Sequence, residues 1–220
     1  MVHDEVRRAF CVDPAKLHVV YNGVDLAYFS PKNTFRESAR AELALRPRDT
    51  LFLFVGSGFA RKGLEAAIEA LRLTNNEALK LAVVGTDREQ ARFAAQAAPL
   101  GERVRFLGGH QDVRPLYAAA DCLILPSRYD PFPNTVLESF AMGLPAIVSS
   151  HCGAAEIIER GVNGWVCSPD DVPGIAALMK EADDAIRREP MTQGARATAE
   201  RFRLDEMAGR LSALYEKLVA

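Results

Sequence analysis

The chain has 220 residues, 49 % of them hydrophobic and 25 % charged, with a formal net charge of −2. That length suits a single α/β domain able to bury roughly 70 % of its unfolded surface, so a core forms without disulfides or metal. The apolar content excludes a disordered chain, the charge balance argues against a domain devoted to nucleic acid, and no apolar run approaches the ~18 residues of a membrane-spanning helix.

The opening MVHDEVRRAF mixes acids and arginines without an apolar stretch, so it is not a secretory signal. The first β-rich run is 17–21. A seam rich in Pro, Asn and Gly follows at 22–31 and reads as a hinge or domain border. Asn22-Gly23 is a turn signal, because both residues tolerate positive φ. Further apolar runs lie at 51–55, 79–84, 104–106, 122–125, 146–148 and 165–167. They are short and do not alternate, as expected of strands buried on both faces.

Helical spacing fills the gaps between these runs. Leu64, Ile68 and Leu71 mark one apolar face, and Ala91, Ala94 and Ala95 a weaker one. Val113, Leu116 and Tyr117 mark a third, and Val136, Leu137, Phe140 and Ala141 a fourth. From Asp171 onward the chain is helical in character, broken at Pro190 and near Phe202. Cys11, Cys122, Cys152 and Cys167 are widely spread, which predicts reduced thiols in a cytosolic chain rather than a zinc site. The histidines do not cluster in a ligand spacing either.

Strands alternating with helices predict an α/β fold: a doubly wound parallel sheet with helices on both faces and a helical C-terminal tail. In such sheets ligands sit outside the carboxyl ends of the strands. The loops there are 56–59, 85–87, 107–110, 126–133 and 149–153, where glycine, hydroxyl and charge gather.

Three constellations stand out. In GSGFARKG (56–63), Gly56, Ser57 and Gly58 let the backbone approach a ligand, and Arg61 and Lys62 add cations near a helix start. Cations are unfavourable there unless an anion arrives between them. The plain alternative is a solvated basic turn. The loop fits neither a dinucleotide fingerprint, where Arg61 would be Gly or Ala, nor a Walker A loop, where Leu64 would be Ser or Thr. In 127–145, Asp130 and Glu138 flank Pro131 and Pro133. The prolines keep Asp130 in a loop, Pro133 can begin a helix, and Glu138 falls in its second turn. Two carboxylates beside free amides suit a polyol carrying a phosphate; the alternative is a capped helix with a salt-bridged Glu. Asn22-Gly23-Val24-Asp25 is explained by its turn alone. Gly153 and Glu156 read as a turn and a helix start.

In order, NGVD at 22–25, RKG at 61–63, RFLGG at 105–109, AADCLILPS at 119–127, Asp130 with Glu138, GAAE at 153–156 and NGW at 163–165 resemble a known family. The set is similar to the C-terminal half of a retaining glycosyltransferase of the two-Rossmann-domain (GT-B) type, family four. Nearly the whole chain is covered, and the ordered set carries the specificity. GSGFARKG and Cys152-Gly153 are most similar to bacterial lipopolysaccharide core glucosyltransferases that use UDP-glucose.

The resemblance implies a Rossmann-like nucleotide-sugar domain over 31–203, a lead-in from an absent N-terminal domain over 1–30, and a returning helix over 204–220. It implies hexosyl transfer from UDP-glucose to a glycolipid or polysaccharide such as lipopolysaccharide core, with retention and without metal or other cofactor. The absent domain would hold the acceptor, so the isolated chain is expected to bind donor and transfer poorly. Arg61 and Lys62 would hold the diphosphate, and with Asp130 they form the expected catalytic set. Glu138 would bind ribose, and the amides around Phe132, Asn134 and Thr135 the donor phosphate or sugar. The base would rest against the Phe106 to Asp112 turn, through Phe106, Leu107 and Gly108, with Gly85 leaving room. Asp130 stands where the family has Glu, one methylene shorter. No residue is assigned as covalent nucleophile. The implied location is cytoplasmic, with any peripheral contact at the inner membrane made through the absent domain; no nucleic-acid partner is expected. The rivals are a UDP-sugar 2-epimerase, phosphorylase-like or trehalose-type synthase on the same architecture, a non-catalytic nucleotide-sugar-binding module, and a generic doubly wound domain.

Overall fold

The computed structural model describes residues 1–31 and 35–219. In chain order the elements are α1 (Val2–Phe10), α2 (Arg36–Glu42), β1 (Thr50–Val55), α3 (Leu64–Thr74), β2 (Leu79–Val84), α4 (Gln90–Ala97), β3 (Val104–Gly108) and α5 (Arg114–Ala119). There follow β4 (Cys122–Leu125), α6 (Asn134–Ala141), β5 (Ala146–Ser149), β6 (Gly164–Cys167), α7 (Val172–Asp183), α8 (Ala185–Arg188), α9 (Met191–Ala199) and α10 (Leu204–Val219). Short 3-10 turns lie at Pro14–Lys16, Ala98–Arg103 and Gly153–Ile157.

The six strands form one parallel sheet in the order β3-β2-β1-β4-β5-β6. β1, β4 and β5 are buried along their whole length, which is why their sequences are uninterrupted apolar runs rather than alternating ones. Helices pack in pairs, α3 on α7, α6 on α9 and α2 on α5. Trp165, Tyr117, Phe52, Phe54, Phe59, Phe93 and Phe140 are the largest fully buried side chains. The strand order reverses between β1 and β4, so the ligand crevice of such a sheet opens outside the carboxyl ends of those two strands.

At the opposite end Asp121, buried just before β4, gathers several partners. Its carboxylate accepts from the Leu51 amide at 2.8 Å, from Arg36 at 2.7 Å and from Arg40 at 3.1 Å, and Arg188 approaches to 3.5 Å. One buried charge with three cations ties α2 and α8 to the amino ends of β1 and β4. Asp171 caps α7 by accepting from the Gly174 amide at 2.9 Å. Asp171→Ala is expected to cost about 1 kcal/mol, the usual worth of such a cap, read as a lowered denaturation midpoint.

One expected strand is absent. Residues 17–21 have no regular secondary structure and pair with no strand. Their apolar character goes elsewhere: Tyr21 packs on Phe132 (4.9 Å between centroids) and Phe202 (5.7 Å). The seam at 22–31 is tied to the start of α10. Val24 donates to the Phe202 carbonyl at 2.8 Å and accepts from Leu204 at 3.1 Å, while Asp25 Oδ1 accepts from the Ala27 and Tyr28 amides. Two helices, α1 and α2, were not among the expected elements. α1 sets Val2, Val6 and Phe10 four residues apart but buries none of its residues, and α2 buries only Ala39, so neither packs a continuous stripe into the core. Among the described residues no helix is long and apolar enough to cross a membrane.

Candidate functional site

The site grows from the carboxyl ends of β1 and β4. The chain leaves β1 through Gly56, whose φ is 141°. A Cβ there would lie 2.5 Å from Lys62 Cε and 2.7 Å from Cδ, so the bare backbone is what lets the lysine stem lie across the strand end. Gly85, at the end of β2, leaves room that the Gly56 carbonyl fills; its amide donates to the Gly108 carbonyl at 2.8 Å. Gly56, Gly85 and Gly108 thus stack backbone on backbone along the mouth.

Beyond Gly56, Ser57 and Gly58 are exposed, and Phe59 plunges into the core. Its ring meets Phe54, Phe93 and Phe106 with centroids 5.9, 5.7 and 6.4 Å away. Asp87 accepts from the Phe59 amide at 2.8 Å and from the Glu89 amide at 2.8 Å. Backbone donation from Glu89, then Phe59, holds its carboxyl below the ordinary range. The chain makes one more turn, with Lys62 N donating to Gly58 O at 2.9 Å, and α3 begins at Leu64. Lys62 therefore precedes the helix and folds back over the mouth.

Lys62 Nζ lies 2.9 Å from Asp130 Oδ2, with the two side chains only 10 % and 8 % exposed. Arg61 Nη1 reaches the same oxygen at 3.4 Å and the Tyr129 carbonyl at 2.8 Å. The anion that the sequence argument demands between the two cations is, in this structure, the Asp130 carboxylate. Asp130 is itself pinned by its backbone. Its amide donates to the His151 carbonyl at 3.2 Å, and its carbonyl accepts from Gly153 at 2.8 Å. Gly153 packs so closely on the Pro131 carbonyl that no side chain fits between them.

Pro133 stands just ahead of α6, and Asn134 opens it. The first N–H groups of a helix have no partner within it and carry the positive end of its dipole. Glu138 lies in the second turn, as expected from the spacing. Its Oε2 accepts from the Tyr117 hydroxyl at 2.8 Å. Burial pushes the Glu138 carboxyl above the ordinary range, and the Tyr117 hydrogen bond and the Lys62 charge pull it partly back. Among the described residues, two buried hydroxyls, Ser127 Oγ and Thr135 Oγ1, have no hydrogen-bond partner. Left dry, such groups cost roughly 1–3 kcal/mol each, so they are polar atoms a ligand or water can satisfy.

Not every expected residue comes to this point. The Phe132 ring packs with Tyr21 and Phe202 (5.9 Å to the latter), and its carbonyl accepts from Asn22 at 3.0 Å. Phe106 and Leu107 are half-buried, with Phe106 resting on Phe59. Glu156 accepts from the Tyr21 hydroxyl at 2.7 Å in a groove of about 570 Å³ that also includes Pro131 and Phe132. His110 lies 3.4 Å from the Gly108 carbonyl. Among the described residues, no group of three His, Cys, Asp or Glu gathers as a metal site would require. The sequence reading missed Tyr117 as a site residue, taking it for one position of an apolar helix face. The available signal is that a buried tyrosine hydroxyl needs a partner.

The arrangement offers two cations and a helix start to an anion, and two carboxylates to hydroxyl groups. Comparison with known proteins bears on what uses it. Residues 35–198 match the family profile described as "Glycosyl transferases group 1". The chain is 31 % identical over 209 residues to the glycogen synthase of Mycobacterium tuberculosis, covering 92 % of this chain and 47 % of that protein. It is 33 % identical over 170 residues to the lipopolysaccharide glucosyltransferase WaaG of Escherichia coli, covering 74 % and 45 %. The WaaG crystal structure superposes with a TM-score of 0.85 at 26 % identity, over 96 % of this chain and 59 % of that one. Anabaena Alr3699/HepE, solved in complex with UDP and glucose, shares the fold with a TM-score of 0.86 at 23 % identity, over 93 % and 58 %. The chain spans about half the length of the curated relatives it matches.

Proposed function

Because the chain belongs to the group 1 glycosyl transferases, we propose that it supplies the donor-binding half of a two-Rossmann-domain enzyme moving a hexosyl group from a nucleotide sugar, UDP-glucose, to a glycolipid or polysaccharide acceptor. The observation that carries this reading is the Lys62–Asp130–Arg61 cluster at the point where the strand order reverses. WaaG among the relatives and the UDP and glucose held by HepE support the choice of donor.

In this reading the diphosphate displaces Asp130 as the partner of Lys62 and Arg61. Those cations and the start of α6 then stabilise the charge that grows on the departing nucleotide, and no metal is needed to supply it. Asp130, released from its cations but held by its backbone, accepts a sugar hydroxyl. Glu138 accepts from the ribose hydroxyls, and the Asn134 and Thr135 amides donate to phosphate oxygens. The configuration at the anomeric carbon is retained. The acceptor is bound by the other half of the enzyme, on the cytoplasmic side and at most peripherally to the membrane.

Calorimetric titration with UDP, GDP and ADP, with Mg²⁺ or with chelator, tests the reading. UDP is expected to bind best, with an affinity indifferent to the metal; binding that requires Mg²⁺, or a preference for GDP or ADP, contradicts it. Glu138 adds a pH dependence. Its carboxylate accepts from ribose above its midpoint, and burial has raised that midpoint. Affinity for UDP is therefore expected to be full above that midpoint and to be lost as the pH falls through it, at a higher pH than an ordinary carboxylate would give.

A further inference from the structure

We propose that Tyr117 is a positioning residue for Glu138, holding one carboxylate oxygen so that the other is presented to the nucleotide. The proposal rests on the reading of Glu138 as a ribose ligand. Tyr117 is 1 % exposed and sits on α5, with the Phe29 ring edge-on to it at 6.1 Å. Its ring is fixed by packing, so its hydroxyl has one place to go. It donates to Glu138 Oε2 at 2.8 Å, with the Thr135 carbonyl a longer 3.4 Å away. Among the described residues no other side chain or amide hydrogen-bonds to the Glu138 carboxylate, and Lys62 is the cation that acts on it. Burial and the neighbouring carboxylate keep the phenol protonated, so Tyr117 is always the donor of this bond.

A free glutamate samples many rotamers, and binding through it carries the cost of ordering them. A donor anchored in the core removes that cost beforehand. It also favours the charged form of a carboxyl that burial would otherwise neutralise. The plain alternative is a core tyrosine that has merely found an acceptor, and it makes different predictions.

Tyr117→Phe keeps the ring and removes the donor. ¹³C NMR of the Glu138 carboxyl in the nucleotide-free chain is expected to show its midpoint moving up in this variant. Calorimetry with UDP and with 2′,3′-dideoxy-UDP is expected to show the preference for the ribose hydroxyls falling about fivefold, the scale of one hydrogen bond. In a Glu138→Ala background Tyr117→Phe should have no further effect on UDP affinity. An unmoved midpoint, an intact ribose preference, or an equal loss in the Glu138→Ala background each overturns the proposal. If the parent chain binds UDP without distinguishing it from the dideoxy form, the ribose reading of Glu138 fails, and this proposal with it. That result needs no variant and so stands apart from the others.

Discussion

Lys62→Ala is expected to weaken nucleoside diphosphate binding at least tenfold (~1.4 kcal/mol) and to destabilise the fold as well. The two effects have one cause. Lys62 is the buried partner of Asp130, 2.9 Å away, and lies across Gly56 at the mouth of the crevice. Removing it takes away the less mobile of two cations and leaves a nearly buried carboxylate with Arg61 alone, at 3.4 Å. Stranding a buried charge costs roughly 3–5 kcal/mol; Arg61, half-exposed and free to adjust, brings the expected loss to the lower end of that range. Because an intact buried pair adds little net stability, Lys62→Ala combined with Asp130→Ala is expected to recover much of the folding loss and none of the affinity. Denaturant unfolding and calorimetry on the single and double variants separate the two effects. Unchanged affinity in Lys62→Ala removes the cation from the site.

Gly153→Ala is expected to cost about 2–3 kcal/mol, the scale of forced overpacking, and to weaken nucleotide binding together with it. The added methyl would run into the Pro131 carbonyl. That atom is backbone, so no side chain can swing aside, and the loop from Asp130 to Pro133 must move as a unit. The same loop carries the Gly153–Asp130 hydrogen bond and feeds directly into α6. Gly109→Ala is the control. Its methyl would meet only the Thr86 methyl at 3.7 Å, an ordinary contact, and both stability and affinity should stay as they are. Equal losses in the two variants would mean that the close approach at Gly153 does not position the site.

The parts legible in the sequence are those whose physics is local. The runs at 51–55 and 122–125 read as buried strands because parallel strands covered on both faces need no polar alternation. The run at 17–21 is as apolar, yet it stays outside the sheet. Local composition cannot tell a strand from an unpaired segment whose Tyr21 ring packs on Phe132 and Phe202 while Val19 stays exposed. The site divides in the same way. Lys62 and Asp130 each stand out for charge in a strand-end loop, but 68 residues separate them, and nothing local announces that one neutralises the other. Gly153 reads as a turn, whereas its reason is the carbonyl packed against it. Tyr117 is the extreme case, since at helical spacing a buried tyrosine looks like any other apolar residue.

Amide NMR of the ¹⁵N-labelled chain titrated with UDP locates the nucleotide directly. The expected perturbations gather at the ends of β1 and β4: Gly56 to Lys62, Gly85, Phe106 to Gly108, Asp130 to Thr135, and Glu138. Perturbations confined to the groove around Tyr21 and Glu156, or to the end of the sheet near Asp121, would contradict the assignment of the site.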